Sequence, residues 1–462
     1  MRTFQRLDYK VFAEPKPACP YEFQLSPLTW KDLMSQTTPK TKEEDFAAFV
    51  AFDWADQKHA GAIAPAGAEP EAFELEQSAD KIETWAAAMR QRFGGRRIAI
   101  ALEQSKGALI YALMKYDFFM LYPINPKQLK RFREAMVPSG AKDDPGDAKL
   151  LLEMLLKHRD RLHAWQPDDA TTRLIGCLAE DRRALIAQRT RLICALKSRL
   201  KQYFPLALEM LGQLDTELAC RFLLRWTSLE QLQQEDSQEV ASFYRIFHCH
   251  HPKLIDERLQ KIAQATPLVS DSAIVESGRM LVHGLAAQLL ALIEPLKQYD
   301  AKLADLMRHH PDAEIFQSFP GAGDALAPRL LAAFGTDRQR LTSSDEMQCI
   351  SGIAPVKVQS GKTQFQIRRR WACNKFLRQT FHEFALHSLA KSAWAKAYYD
   401  MMRDRGVKHH AAVRALAFKW IRILHRCWQS RTLYNEVHYF QHLYRRKSPL
   451  LQFMGSQPQP TT

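Results

Sequence analysis

Apolar residues change their spacing twice along this chain. From residue 49 they come in short runs, 49–52, 60–64 and 73–75, parted by turn-like polar stretches, which is the pattern of an antiparallel meander. Residues 79–93 then space Ile82, Trp85, Ala86, Met89 and Phe93 at helical intervals, and Gly94-Gly95 closes that helix. A fourth run at 97–102, a helix over 106–115 and a fifth run at 118–122, stopped by Pro123 and Pro126, complete an α/β layer with functional groups expected at strand ends. After Gly140 the pattern turns helical. Residues 182–204 align Leu185, Ile186, Leu192, Ile193, Leu196 and Leu200 on one stripe, either a core face or a dimer seam. Residues 216–310 stay helix-like without nameable chemistry, and no fixed-period repeat emerges.

The expected fold class is therefore α/β followed by all-α. An extended arm rich in proline occupies residues 1–45, an α/β domain 46–160, a helical or coiled-coil region 161–310, and a compact helical domain 311–447. Residues 448–462, ending GSQPQPTT, are expected to be disordered.

Charge sharpens this division. The 462 residues carry a net charge of +14, yet residues from 361 onward hold 19 basic and 4 acidic side chains, so the rest is close to neutral. A cationic lobe on a neutral body is the footprint of a nucleic-acid binder. Within it Arg378, Lys391, Lys396, Arg414, Lys419, Arg422 and Arg426 alternate with Trp394, Tyr398, Tyr399, Phe418, Trp420 and Trp428. The aromatic spacing is that of a core, which leaves the arginines for backbone contacts.

Eight cysteines without paired spacing predict reduced thiols rather than a zinc ribbon or a disulfide framework, and His248-Cys249-His250-His251 lacks a second ligand pair. The opening MRTFQRLDYK lacks an apolar signal core, and no run is expected to approach the roughly 18 residues of a membrane span. A cytoplasmic protein with no membrane partner is the expectation.

Chemistry is suggested by four carboxylates. Asp53 ends an otherwise apolar strand and Glu103 follows another, and in a ribonuclease-H-like layer those two ends lie side by side. Asp144 suits a helix N-cap before Pro145, and Asp147, three residues on, would share its helix face and turn toward the sheet. Converging carboxylates can hold two magnesium ions, with manganese as a substitute, for phosphodiester cleavage.

In the basic half, Ser360 sits in an expected loop, Val358-Gln359-Ser360-Gly361-Lys362. There Lys362 can offset phosphate charge and Arg368, Arg369 and Arg370 can clamp the backbone. Ser351 and Ser343 are nearby alternatives. The turn Phe319-Pro320-Gly321-Ala322-Gly323 could grip a phosphate as helix-hairpin-helix elements do, or be a tight helical corner.

The stretches FVAFDWADQKH, LEQSKG, LYPINP, AKDDPGDAKLL, RRALIAQRTRLICALKSRL, SFPGAGDALAPRLLAAFG and SGIAPVKVQSGKTQFQIRRRWACNKFLRQTF occur in that order. Together they resemble the DEDD transposases of the "IS one-ten" type of insertion sequences over about residues 48–430. The chain departs from the family's Lys-Thr-Asp-x-x-Asp-Ala pattern by Asp143 in place of the threonine, and its N-terminal arm and residues 216–310 are longer than usual.

The resemblance implies a RuvC-like domain whose Asp53, Glu103, Asp144 and Asp147 bind magnesium. It also implies Ser360 as a nucleophile forming a covalent phosphoserine link to DNA, a non-coding bridge RNA as guide, and a homo-oligomer. From the residues themselves, nucleic-acid contacts are expected at Lys362, Arg368, Arg369, Arg370, Arg378, Gly321 and Gly323. Two other readings stay open: a hydrolytic structure-specific endonuclease, and an inactive nucleic-acid-binding protein.

Overall fold

The computed structural model describes residues 46–103, 106–137, 143–360, 363–367 and 370–454. The proposed arm at 1–45 and the final residues 455–462 lie outside them. The chain divides into two compact units, Met1–Trp165 and Gln166–Thr462.

The first unit holds strands β1 (Ala48–Asp53), β2 (Lys58–Pro65), β3 (Glu71–Glu76), β4 (Ile98–Leu102) and β5 (Phe119–Pro123). Its helices are α1 (Ala79–Arg92), α2 (Ala108–Leu113), α3 (Pro126–Met136) and α4 (Asp144–His158). The sheet order is β3-β2-β1-β4-β5, with β1 antiparallel to β2 and parallel to β4, and β4 parallel to β5. This is the mixed layer expected from the sequence.

Alternation along the two central strands explains what covers each face. Val50, Phe52, Ile98, Ile100 and Leu102 enter one core together with Ile82 of α1 and Leu109 of α2. Ala51, Ala99 and Ala101 face the other way and pack with Ala148, Leu151 and Leu155 of α4. Small side chains on that face let α4 lie close against β1, β2 and β4.

Where β1 ends, His59 is fully buried. Its Nδ1 accepts the Ala55 amide at 3.1 Å, so the proton belongs on Nε2, which lies 2.5 Å from Gln77 Oε1. The turn after Asp53 is thus tied to the end of β3.

The second unit is helical apart from one hairpin. It runs through α5 (Ala170–Tyr203), α6 (Leu206–Leu211), α7 (Glu217–Arg225), α8 (Leu229–Gln234), α9 (Ser237–Ile246), α10 (Pro252–Gln264), α11 (Ser272–His309), α12 (Ala313–Gln317), α13 (Gly323–Phe334) and α14 (Ser344–Ile350). The hairpin β6 (Val356–Ser360) and β7 (Thr363–Ile367) follows, then α15 (Lys375–Ser388), α16 (Ala393–Asp404), α17 (His409–Ser430) and α18 (Glu436–Arg445).

Helices α5 and α11 pack along each other and serve two cores. Leu196, Leu200, Val282 and Leu289 join Phe222, Trp226 and Tyr244 in one. Ile175 and Met307 join Phe334, Trp394, Trp420 and Trp428 in the other. Leu196 and Leu200, part of the stripe that read as core or seam, are thus core residues within the chain.

Two expectations need correction. Residues 449–453, expected to be disordered, form a short 3-10 helix whose Leu450 is buried in the core around Trp420. Met454 packs against the same core, and the Ser448 side chain accepts the Leu450 amide at 3.3 Å, so the turn is held at both ends. Contrary to the expectation that no segment approaches span length, helix α11 is long and apolar enough to cross a membrane by length and composition. Its apolar stripe is instead packed into the two cores.

The aromatic residues that the spacing assigned to the core pack there: Trp394, Trp420 and Trp428 are fully buried, and Tyr398, Tyr399 and Phe418 lie partly buried against them, while Trp371 and Tyr444 elsewhere in the basic lobe are exposed. The indole N–H groups of Trp394, Trp420 and Trp428 are satisfied by Tyr434 Oη, Ser388 Oγ and the Gly335 carbonyl at 2.8, 2.8 and 2.7 Å.

Burial holds both His59 and His310 below the ordinary imidazole range. Their neutral forms are built into hydrogen bonds, so the folded state binds fewer protons than the unfolded chain once the pH drops under about 6.5. Stability should therefore be level above that pH and fall as pH decreases toward 5, read as a declining urea midpoint. A midpoint that rises over that interval would contradict the neutral forms of His59 and of His310, whose Nδ1 accepts the Asp312 amide at 3.1 Å and whose Nε2 lies 2.9 Å from Thr172 Oγ1.

Candidate active site

Asp53 is the last residue of β1 and only 6% exposed, and strand alternation puts it on the alanine face with Ala51. The parallel register pairs Phe52 with Leu102, so Glu103, the next residue after β4, stands beside Asp53 at neighbouring strand ends. Adjacent strands lie about 4.8 Å apart, which brings the two backbones within carboxylate reach of one point. Glu103 is partly exposed and lines a small crevice with Trp54, Leu102, Leu109 and Ile110.

Helix α4 crosses the alanine face and carries the other two carboxylates in its first turn. They separate. Asp147 is 2% exposed, whereas Asp144 is exposed to solvent. The expectation that both turn toward the sheet is corrected for Asp144. The helix begins one residue earlier than expected, with Asp143 at the N-cap, Asp144 as the first helical residue and Pro145 as the second. A three-residue step leaves roughly 60° between side chains on a helix, and at the edge of a buried stripe this is enough to put one in water.

Asp147 is engaged by both arms of Arg133, whose Nε donates to Oδ1 at 2.6 Å while Nη2 donates to Oδ2. This bidentate pair joins α3 to α4 with little solvent access, since the Arg133 side chain is 14% exposed. Arg133 follows the fully buried Leu129 by one helical turn, and a cation on an apolar stripe is the sequence sign of a buried partner. Sequence reasoning missed it, as it missed His59.

The hard carboxylate oxygens of Asp53 and Glu103 suit magnesium. At Asp147 the guanidinium supplies the positive charge that a cation would supply. Among the described residues no group of three or more His, Cys, Asp or Glu side chains is gathered as a metal shell, the 248–251 tract included.

In the second unit Ser360 is not in a loop: it ends β6 and pairs with Thr363 across the hairpin. The side chain of Ser360, together with Lys362, Arg368 and Arg369, lies outside the described residues. Arg370 is partly buried, with its Nη2 3.8 Å from Cys349 Sγ and its carbonyl accepting Arg378 Nη1 at 3.4 Å.

The alternative serines have structural duties. Ser351 is fully buried and donates to the Gln348 carbonyl at 3.3 Å. Ser343 caps α14, and Glu346 reaches back to the Thr342 amide and hydroxyl.

The glycine turn before α13 behaves as a tight corner at its first glycine. Gly321 has φ +82°, and a Cβ there would lie 2.8 Å from the His387 carbonyl carbon of α15. Gly323 is exposed with open space around it.

Known proteins place the chain among mobile-element enzymes. A DEDD transposase family model matches residues 50–205, and a second model, described as transposase of the IS116/IS110/IS902 family, matches residues 313–400. The protein named as the IS117 mini-circle transposase of Streptomyces coelicolor is 30% identical over 77% of this chain and 85% of its own length. The uncharacterized 42 kDa protein of insertion element IS900 from Mycobacterium paratuberculosis is 26% identical over 64% of this chain and 73% of its own. The 43.6 kDa protein of insertion element IS110 from Streptomyces coelicolor is 23% identical over 85% of this chain and 96% of its own.

Removing one partner of a buried ion pair leaves the other charge uncompensated. Arg133→Ala should therefore lower the unfolding free energy by about 3 kcal/mol, measured by urea denaturation at pH 7. A loss below about 1 kcal/mol, the worth of an exposed pair, would show that the Asp147 contact is not closed in solution.

Proposed function

Because the chain belongs to the IS110 family of insertion-sequence transposases, we propose that it cleaves, exchanges and rejoins DNA strands at a site begun by Asp53 and Glu103 and completed by Ser360. The observation that carries the acidic half is the parallel register of β1 and β4, which sets those two carboxylates at adjacent strand ends. Asp144, in water one turn from Asp147, is available to the same ions, and Asp147 joins when its pair with Arg133 opens. Magnesium held there, as one ion or two, supplies charge stabilisation for the attacking and leaving oxygens, and manganese is a reasonable substitute.

In the serine half of the reading, Ser360 Oγ attacks a DNA phosphorus and loses its proton. The phosphorus–oxygen bond to the leaving sugar breaks, and that sugar oxygen takes up a proton. The resulting phosphoserine ester keeps the bond energy of the cleaved phosphodiester, so a second sugar hydroxyl can reverse the step with a different strand. The hairpin position of Ser360 supports this, because a strand end beside a glycine lets a phosphate approach closely. Lys362, Arg368, Arg369, Arg370 and Arg378 are the proposed backbone contacts, with exposed Gly323 as a further one.

The acidic set and Ser360 belong to different units of the chain, so the reaction requires them to meet, within one chain or between copies of a homo-oligomer. A non-coding bridge RNA as guide remains part of the proposal through the family resemblance.

Asp53→Ala and Glu103→Ala should each reduce magnesium-dependent strand cleavage at least about a hundredfold while leaving DNA binding in gel shifts intact. Cleavage that persists in both variants would remove the acidic site. Ser360→Ala should abolish the denaturation-resistant protein–DNA adduct. If strand cleavage occurs in the wild type without such an adduct, the hydrolytic reading is favoured.

A further inference from the structure

Trp54 follows Asp53 directly, at the end of β1. It is 36% exposed and belongs to neither core of the first unit. Two other tryptophans of that unit behave differently: Trp85 stacks on Phe73 and Phe119, and Trp165 packs against the core that holds Ile82 and Leu109. Among the described residues no ring lies against the Trp54 indole and no acceptor takes its N–H.

The backbone on either side of this indole is fixed. Asp53 pairs with Ala60 in the ladder between β1 and β2, and the Ala55 amide is taken by fully buried His59. Only the two side-chain torsions of Trp54 are left for a ligand to order, so little entropy is lost on binding. Glu103 is its neighbour: the two residues line one crevice with Leu102, Leu109 and Ile110. At about 10 Å³ that crevice holds at most a water molecule, so the surface Trp54 offers is the open face of its ring.

That face is next to the two carboxylates proposed to hold metal. A lysine or arginine there would add affinity for DNA but would also compete with metal for the carboxylates, as Arg133 does at Asp147. An aromatic ring has no such conflict, because it binds a nucleobase by stacking and brings no charge. Reach agrees as well. Consecutive Cα atoms are about 3.8 Å apart and neighbouring strands about 4.8 Å, which puts the indole within one nucleotide of a phosphate held between Asp53 and Glu103.

We propose that Trp54 stacks on a nucleobase of the DNA strand whose phosphate lies at Asp53 and Glu103, and so seats that strand for cleavage. This contact presupposes the strand-cleaving site proposed above. Every base presents a π-face, so Trp54 positions the strand without selecting its sequence.

The test irradiates the full chain bound to a single-stranded DNA oligonucleotide that carries 5-iodouracil, and maps the photoadducts by mass spectrometry. Calcium, a hard cation that accepts the same oxygen ligands, replaces magnesium during irradiation. An adduct on Trp54 is expected. Trp54→Leu, which keeps an apolar side chain over the crevice, should melt like the wild type and raise KM for magnesium-dependent cleavage about tenfold with kcat little changed. Trp54→Phe should restore KM to within about threefold of the wild type, because it restores a ring. No adduct on Trp54, a wild-type KM in Trp54→Leu, or an adduct formed by RNA of the same sequence and not by DNA overturns the proposal. Failure of the acidic site itself reads differently: Asp53→Ala and Glu103→Ala would then still cleave, whereas a failure confined to Trp54 leaves both of those variants inactive.

Discussion

The parallel pairing of β1 with β4 is the constraint on which the proposed acidic site of this protein rests. Two strands separated by about fifty residues lie side by side because each alternates side chains between two cores, one built from Val, Ile, Leu and Phe and the other from Ala. A slip of one residue would exchange the faces, driving Phe52 and Ile100 into the space that α4 needs. The register is therefore held by packing on both sides, and it carries Asp53 and Glu103 to neighbouring ends without any attraction between them. Two carboxylates would repel one another, so the sheet bears the cost of bringing them together.

Around that pair the structure uses polar contacts sparingly and at defined points. His59 secures the turn after Asp53 in its neutral form, and Arg133 neutralises Asp147 where α4 meets the sheet. In the second arrangement a guanidinium satisfies Asp147, and in the proposed active form metal takes its place. In the second unit, α5 and α11 run through both helical cores, with Asp312 meeting Arg338 and His310 meeting Thr172 where helices converge.

Membership in the transposase family explains why strongly basic composition and an acidic site coexist in one chain. In the proposed reaction, cationic side chains concentrated after residue 361 offset DNA phosphates, whereas carboxylates on a separate unit handle reacting oxygens. Aromatic residues interleaved with those cations could be mistaken for base-stacking platforms. Trp394, Trp420 and Trp428 are enclosed instead, each with its indole donor satisfied.

Much of this was legible in the chain itself, because short-range periodicity and strand-end chemistry are local properties. The five strands, the helix after β3, the two strand-end acids and the core role of the tryptophans all follow from spacing. Family resemblance added the order of the motifs and the singling out of Ser360. Tertiary structure alone decided the pairing of Asp147 with Arg133, the solvent position of Asp144, the anchoring of Leu450, the burial of Ser351 and the exposure of Trp54 beside Glu103. Each of these depends on which side chain a distant segment presents, and a buried charge or an exposed ring has no signature until that partner, or its absence, is set in space.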